Sequence, residues 1–536
     1  LATLLGALAA ACAMAPDAPR KAHAEPKATP AELRTEATAT LPAPHAEATA
    51  NSSGAGDAVA SAGRPTIVAS SAERVRGATG PSDAPRVYAK TRFVWIRERP
   101  EWASQWIGYL WPGESVKLAR TKPIYARGCD AWYAVAPRGF VCVDERRATL
   151  NAADPELVEI QRAAVASSPS VHRYAESLGA QVYEHLPDRA EQLAREPDLE
   201  QHLALLEGAR SGAVDDSVAG IDLAVATREA TPLSKLPIDL QFPRNSLRKG
   251  STLAFLDEFR WDGRSYLLTP DLNWVPKDRV KPYDTVTFEG AHLDGSVHMP
   301  LAFFRERERS AYERGGNGRF VPSKRKFARL AWVELSGVTE VDAGERYLET
   351  GERGLWVLES DAVIPEVSPT TPWGDRVSGA ADGASALSPR RPWIEASVYG
   401  GWLIAYENTR PVFVTLTSAG RGGAKRQDSK RLPMSSSTPL GTFPITGKFV
   451  TATMDGPDEI VHSDVPWVQN FRSAHSIHAA YWHNEWGELV SDGCLNVSPA
   501  DGRFLFGFTE PRMPEGWHGV RWDPHLGPTT MVVVHR

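Results

Sequence analysis

The residues of this chain best equipped for covalent chemistry lie near its end. His478 sits in Ile477-His478-Ala479-Ala480-Tyr481-Trp482, and Cys494 follows in Ser491-Asp492-Gly493-Cys494-Leu495-Asn496-Val497. A thiol beside an imidazole becomes a nucleophile at neutral pH, because the base takes the thiol proton and the resulting imidazolium lowers the thiol pKa. Spacing alone does not bring the two together, and two other readings use the same residues. Cys494 could be a buried structural thiol. His475, His478 and His483 with Cys494 could form a metal site, since two His three apart share a helix face. On a strand His475 and His478 point to opposite faces, which argues against that site, so no metal is expected.

Together these motifs resemble the L,D-transpeptidase (YkuD-type) catalytic domain, whose pattern runs from a His to a Ser/Thr-His-Gly-Cys-x-Asn block. Upstream, Thr438-Pro439-Leu440-Gly441-Thr442-Phe443 matches that family's Thr-Pro-x-Gly-x-Phe/Tyr segment. The resemblance covers about residues 392–536 and implies a β-sandwich-like fold in an exported cell-wall enzyme without metal or cofactor. It implies that Cys494 attacks the carbonyl of the third residue of a peptidoglycan stem tetrapeptide, expels the terminal D-Ala and leaves a thioester. An amine of a neighbouring stem then gives a 3→3 cross-link. Water in its place gives an L,D-carboxypeptidase, and the same intermediate could attach a protein to the wall. His478 is the implied general base and then general acid. Backbone N–H groups around Gly493 and Cys494 are the implied oxyanion donors. Ser491, Asp492, Asn496, Tyr481 and Trp482 are expected to line the substrate pocket.

Two positions depart from the family. Asp492 stands where His is usual, and a carboxylate beside a thiol raises its pKa unless Arg or Lys neutralises it. Ala479 stands where many members have Ser, a residue thought to orient the His through its backbone carbonyl, which Ala retains. The reading from a different class is a non-catalytic wall-binding scaffold, degenerate at Asp492.

The elements that must position these residues begin near Pro392. Trp393 to Val398, a Gly400-Gly401 turn, Trp402 to Tyr406, a polar turn over 407–410 and Val412 to Leu416 read as a β meander. Ser498-Pro499-Ala500-Asp501 supplies an N-cap, a Pro at N1 and an acid at N3, which places a helix directly behind Cys494.

The remainder of the 536 residues is expected to be modular. Residues 86–150 read as a small all-β barrel of short Val, Ile, Trp and Tyr runs broken by Gly and Pro. Residues 151–240 read as a helical insert of two or three helices, 241–366 as a further β region and 367–391 as a linker. Three stretches resemble one another: Tyr133 to Asp144, Tyr266 to Asp278 and Tyr347 to Asp361. Each reads as a strand, a turn, an aromatic-Val strand and an acidic turn, similar to the closing hairpin of bacterial SH3-like domains, which are often associated with cell-wall binding. Unrelated two-stranded hairpins would look the same. The expected fold is therefore mainly β and multidomain, with SH3-like barrels and a helical insert ahead of the C-terminal domain.

No Phe, Trp or Tyr precedes Tyr88, so residues 25–85, rich in Ala and Pro, read as a linker that cannot bury enough to order itself. Residues 1–24 read as a truncated export signal with a short apolar run too brief to span a bilayer. Cys12 after small residues resembles a lipobox, which would anchor the protein to a membrane by lipidation; Ala22-His23-Ala24 supplies an ordinary cleavage pattern instead. Export to the periplasm or cell envelope suits the other cysteines. Cys129 and Cys142 flank a hairpin-like stretch and read as a disulfide, or otherwise as two buried thiols. Cys494 is then left without a partner. A net charge of −6 and the lack of any long Lys/Arg run exclude a nucleic-acid partner.

Overall fold

The computed structural model describes residues 84–144, 146–163, 170–211, 231–232, 246–378, 389–426, 436–456 and 460–536. Cys12, the expected export signal and nearly all of the 25–85 linker lie outside them.

The described chain is mainly β. Its C-terminal part is a sandwich of two sheets. One sheet runs, in spatial order, Ala291–His292, Arg410–Leu416, Trp402–Glu407, Pro392–Ser397, Met531–His535, Thr438–Pro444 and Ala424–Arg426. The expected meander supplies three of these strands, joined antiparallel, and Met531–His535 adds in parallel beside Pro392–Ser397. The opposing sheet carries Gly447–Asp455, Val461–Arg472, His475–Ala479 and Leu495–Val497. Ile394, Leu403, Phe413 and Val532 from the first sheet meet Phe471, Ile477, Leu495 and Val497 from the second. Burial of such side chains contributes about 1.5–3 kcal/mol each relative to exposure. The helix Pro499–Phe508 adds Leu505 to this core, and its N-cap Ser498 Oγ accepts the Asp501 N–H at 3.1 Å.

The second sheet does not stop at the sandwich. It continues on one side through Gly519–Arg521 into Trp106–Leu110, Val94–Arg97, Phe140–Val143 and Ala131–Ala134, and on the other through Thr252–Phe255 into Arg173–Ser177 and Val280–Pro282. The first seam is antiparallel, with Gly108 opposite Val520 and Tyr109 opposite Gly519. A Cβ on Gly519 would lie 2.3 Å from the Tyr109 ring, so glycine is required for this approach. At the second seam Thr252 pairs in parallel with His462. The upstream regions therefore join the second sheet of the sandwich by backbone hydrogen bonds; they are not separate beads.

Residues 86–149 form seven short strands, and Cys129 and Cys142 are joined by a disulfide with their Cα atoms 5.9 Å apart. Closing that loop is worth about 3 kcal/mol in the chain-entropy account. All three similar stretches are antiparallel hairpins, with Tyr133 opposite Val141, Tyr266 opposite Pro276 and Tyr347 opposite Leu358. The second and third each end in a one-turn helix, at Lys277–Arg279 and Glu359–Asp361.

Residues 151–240 are not purely helical. Helices span Pro155–Ala163, Arg189–Arg195 and Leu199–Arg210, but Arg173–Ser177 between the first two is a strand of the large sheet. Its neighbours at 252–255 and 280–282 are far along the chain, so no local periodicity announces it. The described part of 367–391 is laid on the sandwich: Ser368 N–H donates to Tyr406 Oη at 3.1 Å, and Val367 and Val377 pack against the Trp393 and Tyr406 cluster. Among the described residues no helix is long and apolar enough to cross a membrane.

Candidate active site

The strands His475–Ala479 and Leu495–Val497 run side by side in parallel, pairing Ile477 with Leu495, His478 with Asn496 and Ala479 with Val497. Alternation then divides the side chains between two faces. Ile477, Leu495 and Val497 enter the sandwich core, while Ser476, His478, Cys494 and Asn496 share the opposite face. Ser476 Oγ lies 3.5 Å from Cys494 Sγ, in agreement with that register. Cys494 is a reduced thiol, fully buried, and His478 is 2% exposed.

His478 Nδ1 lies 3.1 Å from the carbonyl oxygen of Ala479. A carbonyl only accepts, so Nδ1 carries the proton and Nε2 is the basic nitrogen. The ring lies near-parallel to Trp482, with centroids 5.8 Å apart and 29° between planes, and His462 stacks on the same indole at 4.4 Å. His483 Nε2 is 3.1 Å from Asn496 Nδ2. Burial, with a smaller contribution from neighbouring His478, pushes both His462 and His483 down to about 4. Both imidazoles are therefore neutral at physiological pH.

The turn before Cys494 is tied down at each residue. Gly493 has φ +125°, and a Cβ there would come within 3.0 Å of His475 Nε2 and of the Ser437 carbonyl, so glycine is required on both counts. Gly493 N–H donates to Ser491 Oγ at 3.1 Å, and the Ser491 hydroxyl donates to the Cys494 carbonyl at 2.7 Å. The Gly493 N–H expected at an oxyanion is thus already engaged. Thr438, the first residue of the Thr438 to Phe443 motif, donates to the Gly493 carbonyl at 3.0 Å and accepts the Gly420 N–H at 2.9 Å. Asp492 forms an ion pair with Arg421 and accepts from Ser436 Oγ at 3.1 Å.

Tyr481 sits differently from the expected pocket wall. It is 4% exposed, stacks on Tyr174 with centroids 3.5 Å apart, lies 2.5 Å from Thr252 Oγ1 and donates to the Ser463 carbonyl at 3.0 Å. It joins the upstream region to the sandwich, while Trp482 beside it is half-buried against His478. His475 turns away to the Ser437 carbonyl at 3.2 Å. Among the described residues no group of three or more His, Cys, Asp or Glu could hold a metal ion. Arg421, Ser436, Ser476 and His462 are neighbours that the motif does not mark.

Residues 393–534 match the YkuD family, the L,D-transpeptidase catalytic domain. Solved structures with similarity include an L,D-transpeptidase from Xylanimonas cellulosilytica, 21% identical over 28% of this chain and 62% of that one, with a TM-score of 0.18. A mutant of the Enterococcus faecium L,D-transpeptidase is 22% identical over 27% of this chain and 50% of that one, with a TM-score of 0.20. An L,D-transpeptidase from Mycobacterium tuberculosis is 15% identical over 44% and 81%, with a TM-score of 0.20. The chain thus spans less than two thirds of the first two. No curated protein matches it.

Proposed function

We propose that the protein is a peptidoglycan L,D-transpeptidase acting through a Cys494 thioester. The observation that carries this reading is the shared face of two adjacent parallel strands that presents Cys494 and His478, with the His478 ring oriented by the Ala479 carbonyl. The YkuD match over the same residues supports it. His478 Nε2 takes the thiol proton as Cys494 Sγ attacks the carbonyl of the third stem residue. The tetrahedral oxyanion is held by backbone N–H groups of the 493–494 turn, with Gly493 exchanging its bond to Ser491 Oγ. Collapse expels D-Ala, protonated by the His478 imidazolium, and leaves the acyl-enzyme. The amine of a neighbouring stem gives up a proton to His478, attacks the thioester and forms the 3→3 amide as the thiol is regenerated. Water in place of the amine gives the carboxypeptidase product, and a protein amine gives wall attachment.

In the same reading the protein acts in the periplasm or cell envelope, residues 86–150 and 241–366 contribute SH3-like wall-binding modules, and Cys12 is the site of a lipid anchor. The test is mass spectrometry of the full chain after incubation with a disaccharide tetrapeptide or a carbapenem, beside Cys494→Ala. An adduct on the wild type that is lost in the variant is the expected result. No adduct with either reagent would leave the wall-binding scaffold as the better reading.

A further inference from the structure

We propose that Arg421 is a positioning residue of this site: its guanidinium cancels the Asp492 carboxylate beside the nucleophile and so lets Cys494 ionise. The inference rests on the nucleophile reading of Cys494. An uncompensated carboxylate two residues from a thiolate opposes its formation by like-charge repulsion, and burial strengthens that repulsion. Asp492 is largely enclosed, with 18% of its side chain exposed, whereas Arg421 is 52% exposed and reaches it from the solvent side.

The pairing is built into the backbone. Ala419–Gly420 lies in parallel beside Leu489–Ser491, and Arg421 N–H donates to the Ser491 carbonyl at 2.9 Å. Arg421 is thereby fixed alongside Asp492 by main-chain bonds. The same Gly420 donates to Thr438 Oγ1, which in turn donates to the Gly493 carbonyl, so one network sets both the nucleophile turn and the cation that neutralises it. Ser436 Oγ completes the environment of the carboxylate at 3.1 Å. Other titratable groups near the turn, among the described residues, include His478 on the face shared with Cys494, His475 bound to the Ser437 carbonyl, His483 against Asn496 and Glu488 paired with Arg305.

The experiment follows alkylation of Cys494 by iodoacetamide against pH in the full chain, with the modified peptide quantified by mass spectrometry, for wild type, Arg421→Gln, Asp492→Asn and the double variant. Arg421→Gln should raise the alkylation midpoint by about one pH unit and slow the reaction near neutral pH by about tenfold. Asp492→Asn should move the midpoint down, and adding it to Arg421→Gln should recover most of the lost rate. An Arg421→Gln profile that matches the wild type overturns the proposal. So does a double variant as slow as Arg421→Gln, because Arg421 would then act through the strand and not through charge. A wild-type Cys494 that reacts like a simple thiol overturns the nucleophile reading itself, which separates that failure from the other two.

Discussion

His478 lies on the strand His475–Ala479 and Cys494 immediately precedes the neighbouring strand Leu495–Val497, yet the contacts that hold them come from different parts of the chain. The Cys494 turn is bound by Ser491, Thr438, Arg421 and Ser436, all within the residues that match the family. Beyond His478 the support is imported. Trp482 rests against His478 and His462; Tyr481 next to it is clamped by Tyr174 and Thr252, and the His462 strand pairs with Thr252. Tyr174 also donates its hydroxyl to the Asp464 carbonyl at 2.8 Å. In the proposed reading the nucleophile is thus a local construction, whereas the base side is buttressed by residues more than two hundred positions upstream.

Tyr174→Ala tests that division most severely. It removes a buried ring stacked at 3.5 Å and a hydrogen bond, and should cost about 3–5 kcal/mol of stability in chemical denaturation. If the comparison holds, acylation by a carbapenem, which needs the base, should fall further than alkylation of Cys494. Equal falls in the two rates would mean that the upstream region supports both sides alike.

Asp501 is a place where the upstream chain reaches the nucleophile side, together with His292 against Phe504 and Arg305 against Gly487. Its carboxylate accepts the Gly290 N–H at 2.9 Å and Thr415 Oγ1 at 2.5 Å, at the start of the helix behind Cys494. Burial pushes this carboxyl up to about 7, against an ordinary value of 3.8. A raised carboxyl binds its proton more tightly in the folded state, so its contribution is fully present below about pH 4 and lost as pH rises through about 7. Its loss amounts to at most about 4 kcal/mol. Denaturation between pH 4 and 8 should show this component of the slope, and Asp501→Asn should abolish it. A slope unchanged in the variant would mean that Asp501 is ionised throughout and binds Gly290 as a carboxylate.

What could be read from the sequence was local. The meander strands and the Ser498 cap follow from residues within one or two turns of each other, and the sandwich follows from the family pattern. Arg421 beside Asp492 was invisible, because their 71-residue separation is bridged only by strand pairing. Tyr481 looked like pocket wall because it follows His478 so closely, but its partner Thr252 lies 229 positions away. The strand Arg173–Ser177 was hidden for the same reason: its pairing residues lie in 252–255 and 280–282, and the helices on either side carried the stronger local signal.

The mildest test falls on the local side. Ser491→Ala removes the hydroxyl that donates to the Cys494 carbonyl and accepts the Gly493 N–H. Two neutral hydrogen bonds near a turn are together worth about 1–2 kcal/mol, well below the Tyr174 effect. The substitution also releases Gly493 N–H from its internal acceptor, and this partly offsets the loss of order at the turn by freeing a donor for the oxyanion. Carbapenem acylation should therefore change by less than about tenfold, equivalent to about 1.4 kcal/mol. A loss of stability equal to that of Tyr174→Ala would reverse the comparison, because the nucleophile turn would then depend on a single hydroxyl as heavily as the base side depends on the upstream clamp.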